Sequence, residues 1–323
     1  MEHIAERFFK SKWGVFNHFL SYDCENAEEW NEKVNKYDVK KVAKQLHDMG
    51  AHYYFITIMQ GRKFMIAPNE TYNRITGYKP GEACAKRDVI KELIEELPKY
   101  GIDLYLYYTG DGPHLDEQAG KALGYYDADN PMWKMGEDGK YHLNEAPQQV
   151  SDAFLEKWTS VLEEYAVRYG SGVNGWWIDG MYDYIGYNEE NIEYYKRAVK
   201  KGNPDAIVCF NNGVKGEKEE NWGRGDFISG ESNDFSHIPD RRFVNGAQNH
   251  KLITLGFDPD FPGCDKMVGW GKKGLLCSKE FLYHYMKRAN QNGAVITLDI
   301  AVEDDGSFDP EQMEALKYIE GKN

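Results

Sequence analysis

Short apolar runs rich in β-branched and aromatic residues alternate along the chain with longer stretches in which apolar residues recur at helical spacing. The runs that we predict as strands are WGVFNHF, AHYYFITI, IDLYLYY, VNGWWIDG, AIVCFNN, DFISGE, KLITLGF and AVITLDI. Strands that are apolar throughout and are bounded by helices are typical of a parallel sheet covered on both faces.

The clearest helical pattern follows the first strand, in YDVKKVAKQLHDMG, where four apolar residues share one face. Asp38 stands in the N-cap position, and Gly50 follows the last periodic residue. Further helices are predicted in DVIKELIEELPKYG, from Val150 onwards, near residues 189–200, and in SKEFLYHYMKRANQNG and DPEQMEALKYIEG. About eight strands, most of them separated by helices, predict an α/β fold of the (β/α)8 TIM-like barrel type rather than an open doubly wound sheet.

We expect this barrel to be a single catalytic domain that spans residues 1–323, with a loop-rich insertion at about residues 110–148. Polar residues stand where the predicted strands end. They are His18, Gln60, Tyr107, Tyr108, Asp179, Asn211, Asn212, Glu231 and Asp299. The carboxyl ends of barrel strands meet on one face, where active sites lie, so the set favours a functional site there, although each residue alone could be a cap or a solvated loop group.

Two of these residues are carboxylates that end apolar strands. Asp179 ends GWWID, and Glu231 ends DFISGE. A pair of carboxylates across a cleft is the minimum apparatus for cleaving a glycosidic bond, one as nucleophile or base and one as proton donor. The donor needs a raised pKa while its partner stays ionised. The sequence does not predict their separation, which distinguishes retention from inversion of the anomeric configuration.

Aromatic residues are abundant, with 8 Trp and 23 Tyr, and their faces pack well against the apolar faces of sugars. Trp176 and Trp177 lie in a predicted strand, where core packing is the alternative interpretation because successive strand residues face opposite sides. Trp222 and Trp270 stand among glycines and polar residues, so we predict that they lie in loops near the site.

The formal charge of −14, without a long basic run, argues against nucleic acid or an anionic membrane as partner. No apolar run is long enough to span a membrane, and the N-terminus shows no run of signal-peptide length. The five cysteines include no Cys-x-x-Cys pair, which favours free thiols in a reducing compartment. We therefore expect a cytoplasmic protein, and the sequence predicts no oligomeric state.

No metal or cofactor is expected either. The nine histidines form neither His-x-x-x-His nor His-Glu-x-x-His, and VEDDGSFD lacks the spacing of a calcium loop. Gly-x-Gly-x-x-Gly, Gly-x4-Gly-Lys-Ser/Thr and Gly-x-Ser-x-Gly are all absent, which argues against nucleotide binding and serine hydrolysis.

Several of these segments, in this order, resemble the catalytic domain of glycoside hydrolase family 29, the α-L-fucosidases. SKWGVFNHFLSY resembles the first strand, with His18 as a sugar-binding histidine, and LYLYYT resembles the Gly-x-Tyr-Tyr-Ser strand end, at Tyr107 and Tyr108. GWWIDG resembles the Trp-Phe-Asp-Gly signature of the catalytic nucleophile, here Asp179. GDFISGES resembles a segment that supplies the acid/base in some members, here Glu231.

The resemblance implies an exo-acting, retaining α-L-fucosidase-like enzyme that removes a terminal sugar from a carbohydrate by double displacement. Asp179 would be the nucleophile and Glu231 the acid/base. The substrate-binding residues would be His18, Gln60, Tyr107, Tyr108, Trp177, Asn211, Trp222, His250 and Trp270.

The pocket departs from the family pattern. IMQGRKF, with Gln60, stands where the family has Lys-His-His-Asp-Gly-Phe, and NHKLITLG puts His250 where other members have the glutamate of a Trp-Glu-Thr segment. The likeness runs to about Leu316, without the family's C-terminal β-sandwich. A galacto-, xylo- or arabino-configured sugar, a different linkage or stereochemistry, and a non-catalytic sugar-binding barrel are therefore alternatives.

Overall fold

A computed structural model describes residues 2–124, 133–135, 137, 141–143, 150–214, 225–257 and 269–322. Its strands are β1 (Trp13–Asn17), β2 (Tyr53–Thr57), β3 (Asp103–Thr109), β4 (Trp133–Met135), β5 (Tyr141–Leu143), β6 (Gly175–Asp179), β7 (Ile207–Phe210), β8 (Glu231–Ser232), β9 (Phe243–Val244), β10 (Ala247–Gln248), β11 (His250–Thr254) and β12 (Val295–Asp299). Its helices are α1 (Glu6–Ser11), α2 (Ala27–Lys36), α3 (Val39–Met49), α4 (Glu70–Thr76), α5 (Val89–Glu96), α6 (Glu117–Leu123), α7 (Asp152–Tyr169), α8 (Ile192–Gly202), α9 (Lys279–Gln291) and α10 (Pro310–Glu320). Short 3-10 turns span Leu97–Tyr100, Gly170–Gly172 and Asp183–Ile185.

Eight strands form one curled parallel sheet in the order β7-β6-β3-β2-β1-β12-β11-β8. The residues just before β8 continue the curve towards β7, because the amide of Asp226 donates to the carbonyl of Val208 at 2.8 Å. The amide of Ile228 donates to the carbonyl of Gln248, just before β11, at 3.0 Å. The predicted (β/α)8 TIM-like barrel is confirmed.

Strand alternation divides the core into two layers. One apolar cluster fills the barrel interior and includes Phe16, Phe55, Tyr107 and Trp177, and the other lies between the strands and the surrounding helices. Consecutive residues therefore separate, and Trp176 belongs to the outer layer. Phe8 of α1 closes the N-terminal end of the interior, with ring centroids 4.9 Å from those of Tyr53 and Phe227.

The predicted bounds of α3 are confirmed. The Asp38 side chain accepts a hydrogen bond from the amide of Lys41, and Gly50 ends the helix at a left-handed φ of 78°. The predicted strand DFISGE is shorter than expected. Only Glu231 and Ser232 are paired as a strand, because Gly230 adopts a φ of 58°, which interrupts the extended backbone.

Helices α1, α4 and α6 were not predicted because they have only six or seven residues, and so few turns carry little periodicity. The longer helix α2 was not predicted either. Helix α6 and the antiparallel pair β4–β5 lie within the stretch at 110–148 that we expected to be loop-rich. Among the described cysteines, Cys24, Cys84, Cys209 and Cys277 are free, and Cys264 lies outside the described residues. No helix in the described ranges has the length and apolarity needed to cross a bilayer.

Candidate active site

A cavity of 290 Å³ opens at the carboxyl ends of the barrel strands. It brings together most of the predicted site residues, which are His18, Gln60, Tyr107, Trp177, Asp179, Asn211, Glu231 and Trp270. Four further residues complete the lining, and these are Phe16, Leu20, Tyr22 and Leu252. The polar groups lie at one end of the barrel because the parallel strands all finish there.

The two predicted carboxylates share one hydrogen-bond donor. The Nδ2 of Asn211 donates to Oδ1 of Asp179 and to Oε2 of Glu231, each at 2.7 Å. Two oxygens bound to the same nitrogen can be at most twice that distance apart. Asn211 is buried and follows β7, which lies next to β6 and Asp179 in the sheet. Its amide therefore joins two carboxylates from different strands into one unit.

Asp179 has a second donor, from the neighbouring strand β3. The hydroxyl of Tyr107 donates to Oδ2 of Asp179 at 2.6 Å and accepts a hydrogen bond from Nε2 of Gln60 at 2.9 Å. Burial holds the pKa of Tyr107 well above its usual value, so the phenol remains a donor. Both oxygens of Asp179 are thus held by donors, which fixes the orientation of the carboxylate.

The environments of the two carboxylates differ. Burial, followed by the negative charge of Asp179, raises the pKa of Glu231 to about 7, and the Asn211 hydrogen bond offsets only part of this. Burial also raises the pKa of Asp179, but hydrogen bonds from Tyr107, Asn211 and the amide of Gly180 oppose the shift. Because Asp179 has more donors, it is the member of the pair that holds the negative charge, and Glu231 holds the proton.

The chain turns sharply after Asp179. Gly180 has a φ of 66°, and a Cβ atom there would lie 2.8 Å from Cγ of Asp111. Asp111 is buried, accepts a hydrogen bond from the hydroxyl of Thr109, and contributes to the raised pKa of Asp179. A glycine is needed here because a side chain would adopt a strained backbone and collide with a third carboxylate.

His18 lies on the side of the cavity formed by β1 and β12. Its Nδ1 is 2.7 Å from Oδ1 of the fully buried Asp299, whose other oxygen accepts the amide of Gly271 at 2.6 Å. Burial alone would lower the pKa of His18, but the Asp299 carboxylate outweighs it and the net shift is upward. Asp299 therefore fixes the orientation of the imidazole ring, whose other nitrogen, Nε2, lies on the side away from the Asp299 carboxylate.

Aromatic rings form the remaining walls. Trp177 is buried in the barrel interior, and Trp270 lies edge-on to the His18 ring at a centroid distance of 5.9 Å. Tyr22 was missed by sequence analysis although it lines the cavity, because it lies in the loop after β1 and no motif marks it. Trp222 lies outside the described residues.

Tyr108 does not lie at this cavity, contrary to our prediction. Its ring stacks on Trp158 of α7 at a centroid distance of 4.7 Å, and its hydroxyl donates to the carbonyl of the same residue. The physical reason is strand alternation, which directs Tyr107 into the barrel and Tyr108 into the helical layer.

The prediction that His250 binds the substrate is also wrong. It is the first residue of β11 and is fully buried beneath Trp177, with ring centroids 5.7 Å apart. Its Nε2 is 2.6 Å from Oγ1 of Thr297, and its Nδ1 lies 3.0 Å from the carbonyl of Ser229. A residue at the start of a strand lies at the N-terminal side of the barrel, so His250 is a packing residue and does not line the cavity.

We expect His250 to control acid stability. Burial lowers the pKa of His250 to about 3, against a usual value of about 6.5 when unfolded. Between these values the unfolded chain binds the proton and the folded chain does not, so the contribution is present above about pH 6.5 and is lost as pH falls towards 3. At pH 4.5 this contribution is reduced by about 2–3 kcal/mol.

Urea unfolding of the wild type and of His250→Gln at pH 7 and 4.5 measures this effect. The variant should lose less stability between the two pH values than the wild type, while the same change at the exposed His52 should have no such effect. Equal acid sensitivity in wild type and His250→Gln would contradict the assignment.

Metal chemistry has no evident ligand set in this region. Within the ranges that the structure describes, no cluster of three or more His, Cys, Asp or Glu side chains could hold a metal ion. The groups that face the cavity are instead arranged as hydrogen-bonded carboxylates, a phenol, amides and an imidazole.

Comparisons with known proteins identify the family and the fold. The family model described as α-L-fucosidase matches residues 4–321, whereas a search of curated protein sequences finds no match. A family 29 α-L-fucosidase from Bacteroides thetaiotaomicron with a trapped covalent intermediate has a TM-score of 0.65 and 18% identity, covering 100% of this chain and 74% of that chain.

Two other solved structures have the same fold. The endo-fucoidan hydrolase P5AFcnA of glycoside hydrolase family 107 has a TM-score of 0.68 and 14% identity, with 99% of this chain and 93% of that chain covered. A variant of the α-L-fucosidase AlfC in complex with Fuca(1,6)GlcNAc has a TM-score of 0.64 and 18% identity, with 99% of each chain covered. Because the family model extends over nearly the whole sequence, this chain belongs to the α-L-fucosidase family and is a glycosidase.

Proposed function

We propose that this protein is a retaining, exo-acting glycosidase of the α-L-fucosidase type, with Asp179 as nucleophile and Glu231 as acid/base. The observation that carries the proposal is the single Asn211 amide that donates to both carboxylates at 2.7 Å. Retaining enzymes hold their two carboxyl groups about 5–5.5 Å apart, whereas inverting enzymes keep about 6.5–9.5 Å for an intervening water. A shared donor brings one oxygen of each group within the shorter range.

The protonation states support the same roles. Asp179, with three donors, is ionised and can attack the anomeric carbon, while Glu231, with a pKa of about 7, carries the proton that the leaving group needs. In the first step Asp179 bonds to the anomeric carbon, the glycosidic C–O bond breaks, and the departing oxygen takes the proton of Glu231. In the second step the Glu231 carboxylate takes a proton from water, whose oxygen bonds to the anomeric carbon and releases Asp179.

The dimensions of the cavity support exo action. Its 290 Å³ is just below the usual range for ligand sites, about 300–1,000 Å³, which suits one sugar residue rather than a chain. His18, Gln60 and Trp270 surround this space with groups that can bind hydroxyls and an apolar sugar face. The trapped covalent intermediate in the Bacteroides enzyme is a precedent for double displacement on this fold.

The identity of the sugar is the part of the proposal that depends most on Gln60. By resemblance, the segment with this residue stands where the family has paired histidines, and its Nε2 donates to the hydroxyl of Tyr107. An α-L-fucoside is the first candidate, and a galacto-, xylo- or arabino-configured sugar is the second, because a changed hydroxyl partner changes which sugar hydroxyls are bound.

A panel of nitrophenyl glycosides with fuco-, galacto-, xylo- and arabino- configuration tests the proposal. We expect turnover of the α-L-fucoside or of one close relative, and proton NMR should show that the first-formed anomer keeps the configuration of the substrate. An inverted product would contradict the double displacement. Sugar binding by calorimetry without turnover of any member would favour a non-catalytic barrel.

A further inference from the structure

A second, larger concavity lies on the same face of the barrel as the candidate active site. It has a volume of 600 Å³, and we call it the β8–β11 groove. The residues that line it include Asn233, Phe235, Phe257, Leu275, Leu276 and Phe281. These residues follow the carboxyl ends of β8 and β11 or precede and begin α9, so the topology of the barrel places them all on the catalytic face.

The groove lies beyond the ends of the two strands that supply one wall of the cavity. Glu231 and Leu252 are paired across β8 and β11, and both line the cavity. Two residues beyond Glu231 is Asn233, and five residues beyond Leu252 is Phe257, and both line the groove. The two strands that carry Glu231 and Leu252 therefore lead directly into loops that line the groove.

This position matters because of the role proposed for Glu231. A proton donor must lie within hydrogen-bonding reach of the glycosidic oxygen, so the leaving group occupies the side of the cavity where the donor lies. Asp179 belongs to β6, on the other side of β7 from the segment that leads into β8. A leaving group larger than a few atoms can therefore extend over the loops that follow β8 and β11.

The lining of the groove has the chemistry of a sugar site. Phe257 and Phe281 are 41% and 47% exposed. Large apolar side chains that cluster in contact with water usually mark a binding surface. Phe235 supports Phe281, since its ring lies edge-on to Phe281 at 5.9 Å and to Tyr285 at 5.0 Å. The exposed ring of Phe281 is therefore held in place by packing beneath it.

One residue that lines the groove has a polar atom without a partner. The Oδ1 of Asn233 is buried and makes no hydrogen bond. A buried acceptor without a donor is costly, and it is satisfied when a ligand brings an O–H or N–H group. This atom distinguishes a hydroxyl-bearing ligand from a purely apolar one.

We infer that the β8–β11 groove binds the leaving group of the substrate, and that this leaving group is a second sugar residue. Its apolar face packs on Phe257 and Phe281. The half-buried side chain of Asn233 turns towards the groove on binding, and its Oδ1 accepts a hydrogen bond from a hydroxyl or acetamido group of the sugar. The inference rests on the proposed function, because it uses Glu231 as the donor that defines the side of departure.

Two substrates with the same glycone separate the groove from the chemistry. The first is the glycosyl fluoride of the sugar that the aryl-glycoside panel identifies, whose leaving group is too small to reach the groove. The second is a set of disaccharides in which that sugar is linked to glucose, galactose or N-acetylglucosamine. Phe281→Ala and Asn233→Ala are compared with wild type, and Phe243→Ala is the matched control, since this phenylalanine is 40% exposed beside His3 and away from the groove.

For the best disaccharide, Phe281→Ala should lower kcat/KM about tenfold, and Asn233→Ala should lower it by a similar factor. In each variant KM should rise and kcat should fall. Activity on the fluoride should stay within about twofold of wild type in every variant, which also shows that the variants fold. Phe243→Ala should change neither substrate.

Two outcomes would overturn the inference in distinguishable ways. Loss of fluoride and disaccharide cleavage in equal proportion, or no loss on either, would show that the groove does not bind the leaving group while the glycosidase proposal stands. Failure of the wild type to cleave any fluoride or disaccharide would remove the proposed function and the inference together.

Discussion

Replacement of Asp179 by alanine is expected to lower kcat/KM for activated aryl glycosides by about a thousandfold or more, which corresponds to about 4 kcal/mol of transition-state stabilisation. The reason is that no other described group shares its position. Asp179 is the carboxylate that accepts from both Tyr107 and Asn211, and its neighbour Asp111 bonds to Thr109. Azide should restore part of the turnover and yield a glycosyl azide of inverted configuration.

The same variant should fold as well as the wild type or better. Asp179 is held in a cavity with Glu231 and close to Asp111, and burial together with like charge raises its pKa, so its removal relieves an unfavourable group. Thermal unfolding therefore distinguishes lost chemistry from lost structure. Asp103→Asn is the control for turnover. Asp103 is also a buried carboxylate, but it lies at the opposite end of β3 from the cavity, where it pairs with Arg7. Near-wild-type turnover by Asp179→Ala would refute its role as nucleophile.

Replacement of Glu231 should give a different pattern, which depends on the leaving group. Glu231→Ala should lower kcat/KM by about 10²–10⁴-fold for substrates whose leaving group needs a proton, and much less for a glycosyl fluoride. Azide should accelerate the second step and form a glycosyl azide with the configuration of the substrate, since a small anion needs no general base. An equal loss on both classes of substrate would assign the acid/base role to another residue.

The pH profile tests the same residue. Burial and the charge of Asp179 raise the pKa of Glu231 to about 7, so the proton donor is present below this value and is lost as pH rises through it. The wild-type kcat/KM should therefore fall above about pH 7, and this basic limb should disappear in Glu231→Gln. Because the two carboxylates titrate as a pair, the limb belongs to the pair in the wild type. A basic limb that persists unchanged in Glu231→Gln would contradict the assignment.

Much of the architecture could be predicted from local patterns. Apolar runs and helical spacing predicted the eight barrel strands and their parallel arrangement, and capping chemistry predicted both ends of α3 at Asp38 and Gly50. The position of a polar residue after an apolar run predicted that Asp179 and Glu231 share a face. These inferences succeed because they depend on residues close in sequence and on the general rule that parallel strands end together.

The errors arose where the decisive information was three-dimensional. Alternation predicts that Tyr107 and Tyr108 face opposite ways, but only the packed helices show that Tyr108 is the one that stacks on Trp158. His250 matched a family segment, yet the strand begins at this residue and so places it at the far end of the barrel. Strand ends are the least reliable boundaries in a sequence, and a shift of four residues changes the end of the barrel at which a side chain lies.

The sequence by itself determined the class of fold, the family, and the two carboxylates at strand ends, because each of these is written in short segments with their own period or motif. Only the tertiary structure decided which groups meet. Asn211 joins Asp179 to Glu231, Gln60 binds Tyr107, and Asp299 orients His18. These pairs come from different strands, and their protonation depends on burial and charge at distances of a few ångströms. Such contacts exist only once the barrel has curled and brought separate strands together.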